Sequence, residues 1–432
     1  MREWIHTRLR PIVNNDYVFT IFTKGVAMLI GLIATGLSSR YLGPALKGQL
    51  APISNWITLV AVIANLGLYQ PYPFYRRQGE PDVLAKFLNI FSLQFVVYTA
   101  VGIVAAVVFR SYTVTAVCLI APIQVLANQL SFLIMVEDVK YKNVVFFTAR
   151  VVNTVIMALA LLTLRPSLLV ALALIVVGDL ITVGMALRRL KQPGNPLRAS
   201  LPFLRKITGF GVISMITTLL LTLNYRIDVL MLDWFRVPDT EIGFYQTGIS
   251  LAEYCWLIPE AFREVLFSRT ARSDAIDDVS LSLKLNLYLT LAMILGVVVL
   301  GKPLIRLVHG APFLPAYNVT VILLAGIVSM SYFKLIGTLL MAQGKQRVYL
   351  VLLAASVLVN ILANWLTIPT MGKEGAALAS VLSYTVAGGA FLAYFVRTYH
   401  VPLAPLFVVR RAELRALWGR LRRKPSQGGA ST

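Results

Sequence analysis

Apolar residues in this chain come in long, nearly uninterrupted runs rather than in the narrow stripe of a soluble amphipathic helix. About twelve such runs stand out, near 18–38, 48–69, 87–109, 113–136, 143–163, 167–187, 208–234, 243–265, 281–301, 316–341, 348–368 and 374–396. At about 1.5 Å rise per residue, a run of roughly 20 residues crosses a hydrocarbon layer about 30 Å thick. Polar residues collect in short connections, none long enough for a folded extramembrane domain. The pattern predicts an all-α polytopic membrane protein with about twelve transmembrane helices.

The longest connection, Arg188 to Ile207, contains the turn-rich KQPGNP and leaves six runs on either side. The expected organisation is an N-terminal six-helix lobe over residues 1–190, a basic linker over 191–207, a C-terminal six-helix lobe over 208–396, and a basic tail over 397–432. In the tail, Leu414, Leu417 and Leu421 share a helical face flanked by Arg410, Arg411, Arg415, Arg422 and Arg423, which predicts an amphipathic helix on an anionic leaflet. The final PSQGGAST reads as disordered. RYLGPALKGQLAPISNW, between the first two runs, resembles FRVPDTEIGFYQTGISLAEY, between the seventh and eighth. Each places a glycine, Gly48 or Gly243, ahead of a helix with small and polar residues, and TMGKEGAALAS before the last run is a third version. Matching positions in two halves point to a duplicated six-helix bundle, as in many secondary transporters.

Composition agrees: 58% of residues are hydrophobic and mean hydropathy is +0.75. The net charge of +21 would suit nucleic acid, but its cations sit in the connections. Alternate connections divide them 28 against 8, with Arg40, Lys47, Arg110, Arg165, Arg236, Lys302, Arg306 and Lys373 forming the smaller set. The positive-inside rule accounts for this bias, excludes a nucleic-acid partner, and puts both termini in the cytoplasm. The first run is too long for the core of a cleavable signal. Cys118 and Cys255 both lie in apolar runs and imply no disulfide. His6, His309 and His400 are far apart in sequence and suggest neither a metal site nor a catalytic triad. Gly344-Lys345-Gln346 fails as a phosphate-binding loop, and no G-x-S-x-G occurs. The first outer loop, Ser38 to Gly48, lacks the acids that a membrane-embedded glycosyltransferase or polymerase would need.

Four cations remain inside the runs: Lys24, Arg150, Arg226 and Lys334. Lys24, Arg150 and Lys334 each lie about six or seven residues from the inner end of a run, hence at one depth, while Arg226 lies in the outer third. Either they snorkel to the headgroups or they line a cavity; intramembrane charges mark pathways by default. Asp179, Asp228, Glu253 and Glu260 are the corresponding acids. Asp228 shares its depth with Asn224, one turn before it, with Asn360 and Asn364, which are i,i+4 partners, and with Ser380. Oxygen ligands of this kind suit Na⁺, and a lone carboxylate suits H⁺. Helix–helix hydrogen bonds or a salt bridge explain the same residues equally well.

RYLGPALKG, the NYRIDVLMLDWF to IGFYQTGISLAE stretch, and GKEGAALAS together resemble the Wzx-type polysaccharide repeat-unit flippases of the MOP exporter superfamily, over nearly the whole chain. The resemblance implies a MATE-like, V-shaped pair of lobes working by alternating access. It implies a bacterial inner-membrane protein that is not an enzyme, with no cofactor beyond Na⁺ or H⁺ coupling. The implied substrate is an undecaprenyl-diphosphate-linked oligosaccharide, carried to the periplasmic leaflet for O-antigen or similar polysaccharide. A polymerase and a chain-length regulator would be its partners. A cationic cavity of Lys24, Arg150, Lys334 and Arg226 suits a diphosphate and acidic sugars. The related lipid II flippases carry a Na⁺ site whose spacing resembles Asn360, Asn364, the Ala376 backbone and Ser380, with Asp228. This sequence has Asn364 where that pattern has an acid, and it lacks their two extra helices. The competing expectations are a cation-coupled multidrug or small-molecule antiporter of the same fold and a membrane-embedded transferase. An exporter of organic cations would carry acids, not cations, in its cavity.

Overall fold

The computed structural model describes residues 16–192, 194–270, 276–403 and 406–408, with side-chain surroundings from Val26 onward except at 27, 264, 265 and 267–270. The expected tail helix around Leu414, the side chain of Lys24 and the first fifteen residues fall outside the described residues. The helices are α1 (Asp16–Ala64), α2 (Tyr72–Arg77), α3 (Val83–Phe109), α4 (Tyr112–Glu137), α5 (Val139–Thr163), α6 (Leu168–Leu190), α7 (Leu201–Trp234), α8 (Asp239–Glu253), α9 (Leu257–Thr270), α10 (Ile276–Val308), α11 (Ala316–Ala342) and α12 (Gln346–Tyr399).

Nine described helices are long and apolar enough to cross a membrane. Two of them are double. Gly43 in α1 has φ 67° and ψ 177°, and Gly372 in α12 has φ 55° and ψ −128°; each ends one helical segment and starts another. Positive φ without a Cβ penalty is what glycine supplies at such a corner. The run expected over 243–265 is broken into α8 and α9 by a 3₁₀ turn at Tyr254–Trp256. Pro259 follows that turn and can donate no backbone hydrogen bond across it. The arrangement is consistent with twelve spans in an all-helical polytopic membrane protein. One boundary moves: α7 starts at Leu201 rather than near 208, because Ser200 accepts a hydrogen bond from the Phe203 amide and Pro202 fits the first turn.

Contacts group the chain into two units. The first holds the chain from α1 to Gly248 together with Gly301–Val319 and Asn364–Ala376. Its core is aromatic. The Tyr72 and Phe87 rings meet edge to face at 5.2 Å, and Phe87 meets Phe203 at 5.5 Å, binding α2, α3 and α7. The second unit holds Ile249–Leu300, Thr320–Ala363 and the chain from Ala377. There Phe391 stands edge-on to Phe333 at 4.9 Å, and the Ser356 and Ser383 hydroxyls pair at 2.9 Å across the two segments of α12. Small polar residues hydrogen-bonded between helices are the normal glue of membrane bundles. The converse holds outside: Val104, Val107, Val108 and Phe109 on α3 are about two-thirds exposed, as lipid-facing side chains are.

Candidate functional site

In the first unit a cavity of about 320 Å³ opens among the end of α1, α4, α5 and α7. Asn65, Gln70, Asn128, Ser131, Ser214 and Thr218 line it, with Tyr69, Phe132 and one cation, Lys142. Its polar wall is anchored from behind. Gln129 donates to Gln94 Oε1 at 2.6 Å and to Asn65 Oδ1 at 3.4 Å, while Gln94 donates to the Ala64 carbonyl at 2.7 Å. Buried amides chained in this way fix one another's orientation.

Lys142 is one end of a stripe on α5. Phe146 and Arg150 follow at i+4 and i+8, so all three share a face. Both cations approach the Phe146 ring, Lys142 Nζ at 5.8 Å and Arg150 Cζ at 5.1 Å from its centroid. Phe146 is itself 46% exposed. Arg150 has room because position 31 is glycine: a Cβ there would lie 2.3 Å from Nη1. Sequence reasoning found Arg150 but placed Lys142 with the loop cations; the i,i+4,i+8 spacing was the signal that would have joined them.

The other expected cations are placed differently. Lys334, in the second unit, has an 8% exposed side chain, pairs with Glu260 at 2.7 Å and lies 4.3 Å from the Trp256 ring centroid. Glu260 also holds Arg263 at 2.8 Å. Arg226 is half-buried on α7 in the first unit. Lys24 lies on α1, its side chain outside the described residues.

Asp228, 1% exposed, sits in the first unit with Asn224 and Asn364, both fully buried. Tyr245 on α8 donates its hydroxyl to Oδ2 at 2.9 Å, and Asn364 donates Nδ2 to Oδ1 at 2.6 Å. Three helices therefore converge on one carboxylate. Both carboxylate oxygens thus accept hydrogen bonds from side chains of neighbouring helices. Asn360 and Ser380 belong to the second unit, where each is buried.

A further polar cluster lies where α1 resumes after Gly43. Lys47, counted by sequence among the loop cations, is 7% exposed, because α1 restarts at once and turns that position inward. Its ammonium donates to Ser39 Oγ at 2.6 Å, and Ser39 Oγ is 2.8 Å from His309 Nδ1. Arg40 donates to the Leu307 and Val308 carbonyls at the end of α10. Here too α1 and α8 cross closely. A Cβ on Gly48 would fall 1.7 Å from the Asp239 carbonyl oxygen, and one on Gly243 would fall 2.1 Å from that of Pro44. Each glycine meets the carbonyl four residues before the other. The two motifs that look alike in sequence thus face each other reciprocally.

No family model matches the sequence, and neither does any curated protein. Solved structures do. An inward-facing multidrug resistance MATE family transporter of the MOP superfamily superposes with a TM-score of 0.67 at 14% identity, over 87% of this chain and 95% of that one. The lipid II flippase MurJ, in an inward closed conformation, gives 0.67 at 14% identity over 93% and 91%. A MOP superfamily transporter from Pyrococcus furiosus, whose binding pocket of reverse polarity suggests a different function, gives 0.60 at 13% identity over 88% and 94%. Likeness at such identity speaks to architecture, and the architecture of this chain is that of the MOP superfamily transporters.

Proposed function

We propose that the chain is a flippase for lipid-linked oligosaccharides, moving an undecaprenyl-diphosphate-linked repeat unit from the cytoplasmic to the periplasmic leaflet of a bacterial inner membrane for surface polysaccharide synthesis. The observation that carries this reading is the Lys142–Phe146–Arg150 stripe leading from a cavity walled by amides and hydroxyls. Two cations one helical turn either side of an aromatic ring suit a diphosphate. Asn65, Gln70, Asn128 and Ser131 offer the mixed donors and acceptors that sugar hydroxyls need. An exporter of organic cations would have the opposite sign of charge at this place. Transport proceeds by rocking of two lobes, with both termini cytoplasmic and the Gly43 and Gly372 corners on the periplasmic side. The chain supplies no covalent chemistry in this reading, and a polymerase with its chain-length regulator receives the product. Asp228 is assigned to coupling, as the carboxylate that exchanges a cation, Na⁺ or H⁺, between states.

The test is flipping of a fluorescent polyprenyl-diphosphate oligosaccharide in proteoliposomes. Lys142→Gln and Arg150→Gln should each slow it by about tenfold or more, the worth of a charge-assisted hydrogen bond. Unchanged flipping in both variants and in the double variant rejects the site. Export of a cationic dye by a protein that leaves the labelled oligosaccharide in place rejects the substrate class.

A further inference from the structure

The cluster of Ser39, Lys47 and His309 is not used by this account, and its connectivity is unusual. All three side chains are at most 7% exposed. The Ser39 hydroxyl is within hydrogen-bond distance of three groups: the Thr35 carbonyl at 2.8 Å, Lys47 Nζ at 2.6 Å and His309 Nδ1 at 2.8 Å. Lys47 can only donate, so the single hydroxyl hydrogen goes either to Thr35 or to the imidazole. If the ring gains a proton at Nδ1, the hydroxyl turns to Thr35 and every hydrogen bond survives. What opposes that proton is charge and burial. Lys47 reaches the hydroxyl that the ring shares, and its ammonium lies 5.2 Å from the centroid of the Phe313 ring, whose centroid is 6.1 Å from that of the imidazole. Arg40, on the same segment of α1, is tied to the last carbonyls of α10 immediately before His309. The charges that act on the ring are these two cations of α1. Burial, then Lys47, then Arg40 push the imidazole down to about 3.

We propose that Ser39, Lys47 and His309 form a proton-binding latch, which holds α1 against the end of α10 while His309 is neutral and releases it when His309 takes a proton from the periplasm. For its sidedness the latch rests on the transport reading above. Parting α1 from α10 exposes the ring to water and restores an ordinary imidazole pKa of about 6.5. The parted state then gains over the latched state by about tenfold between pH 7.5 and pH 5.5, because only the parted state binds the proton in that range. Entry of a proton from the more acidic side thereby favours opening toward that side, giving a gradient a direct hold on the transport cycle.

The experiment places spin labels at Ala45→Cys on α1 and Leu307→Cys at the end of α10, both exposed, in the full chain with Cys118 and Cys255 replaced by alanine, in lipid nanodiscs. The separated population should rise about tenfold from pH 7.5 to 5.5 in this background and clearly less in His309→Gln. Lys47→Met, which removes the neighbouring charge, should shrink the response, since the latched ring then accepts a proton more readily. Distances indifferent to pH, or an undiminished response in His309→Gln, overturn the latch. If His309→Gln does not fold, Lys47→Met alone decides: an undiminished response overturns the proposal and a reduced one supports it. A protein that shows the pH response yet fails to flip lipid-linked oligosaccharide loses the transport reading and keeps the latch; an active flippase without the response loses only the latch.

Discussion

Tyr245 and Asn364 each place one donor on Asp228, and the two assignments open to that carboxylate differ in what each donor is for. If Asp228 is purely structural, Tyr245→Phe and Asp228→Asn lower thermal stability and activity in step, each by the roughly 1–3 kcal/mol of an unsatisfied buried group. If it couples transport to a cation gradient, Asp228→Asn abolishes the response of flipping to an imposed gradient even where the melting temperature falls by only a degree or two. Measuring both quantities on one preparation separates the cases. Asp228 was legible in the sequence because a carboxylate amid apolar residues is conspicuous. Lys47 and His309 were not. Lys47 looked like a loop residue because Gly43 and Pro44 mark a turn, and nothing local says that the helix resumes at once. His309 is 270 positions from Ser39, a distance over which pattern carries no information. Lys334 was legible as an intramembrane cation, but its pairing with Glu260 depends on two helices meeting.

At the level of helices, length and apolarity located the spans because a bilayer imposes them, while ends followed local chemistry that hydropathy does not register. The joint between α4 and α5 shows this. It consists of a single residue, Asp138, which closes one helix and caps the next by accepting from the Tyr141 amide at 3.0 Å. It also receives Arg189 from the end of α6 at 2.8 Å. The Tyr141 amide, and after it Arg189, hold the Asp138 carboxyl below its ordinary value. A carboxyl lowered on folding stabilises above its unfolded pKa and loses that contribution as pH falls through the folded one. Detergent-solubilised protein should therefore lose stability below about pH 4. Asp138→Ala should cost about 0.5–2 kcal/mol at neutral pH and should flatten the acid limb of the stability curve. An acid limb unchanged in Asp138→Ala would show that other carboxylates set it. Lys142 sits one turn into α5 from this cap, so the joint also fixes where the cationic stripe begins.

For the molecule as a whole, the telling feature is the reciprocal approach of Gly48 and Gly243, each against a carbonyl four residues before the other. Alanine favours a helix over glycine by about 0.5–1 kcal/mol, so Gly48→Ala and Gly243→Ala would stabilise isolated helices. In the closed crossing the added Cβ strikes backbone. With spin labels at Gln49→Cys and Asp239→Cys, a pair joined across this crossing by a 2.8 Å hydrogen bond, the separated population should therefore grow in both variants, and to a similar extent. A shift in one variant only would show that the crossing is not equivalent from its two sides. A seam made from two glycines facing each other's backbone also leaves little room for substitution at either position. At an ordinary interface a larger side chain on one wall is accommodated by a smaller one opposite. Here both walls already carry the smallest residue there is, so neither can relieve a change in the other.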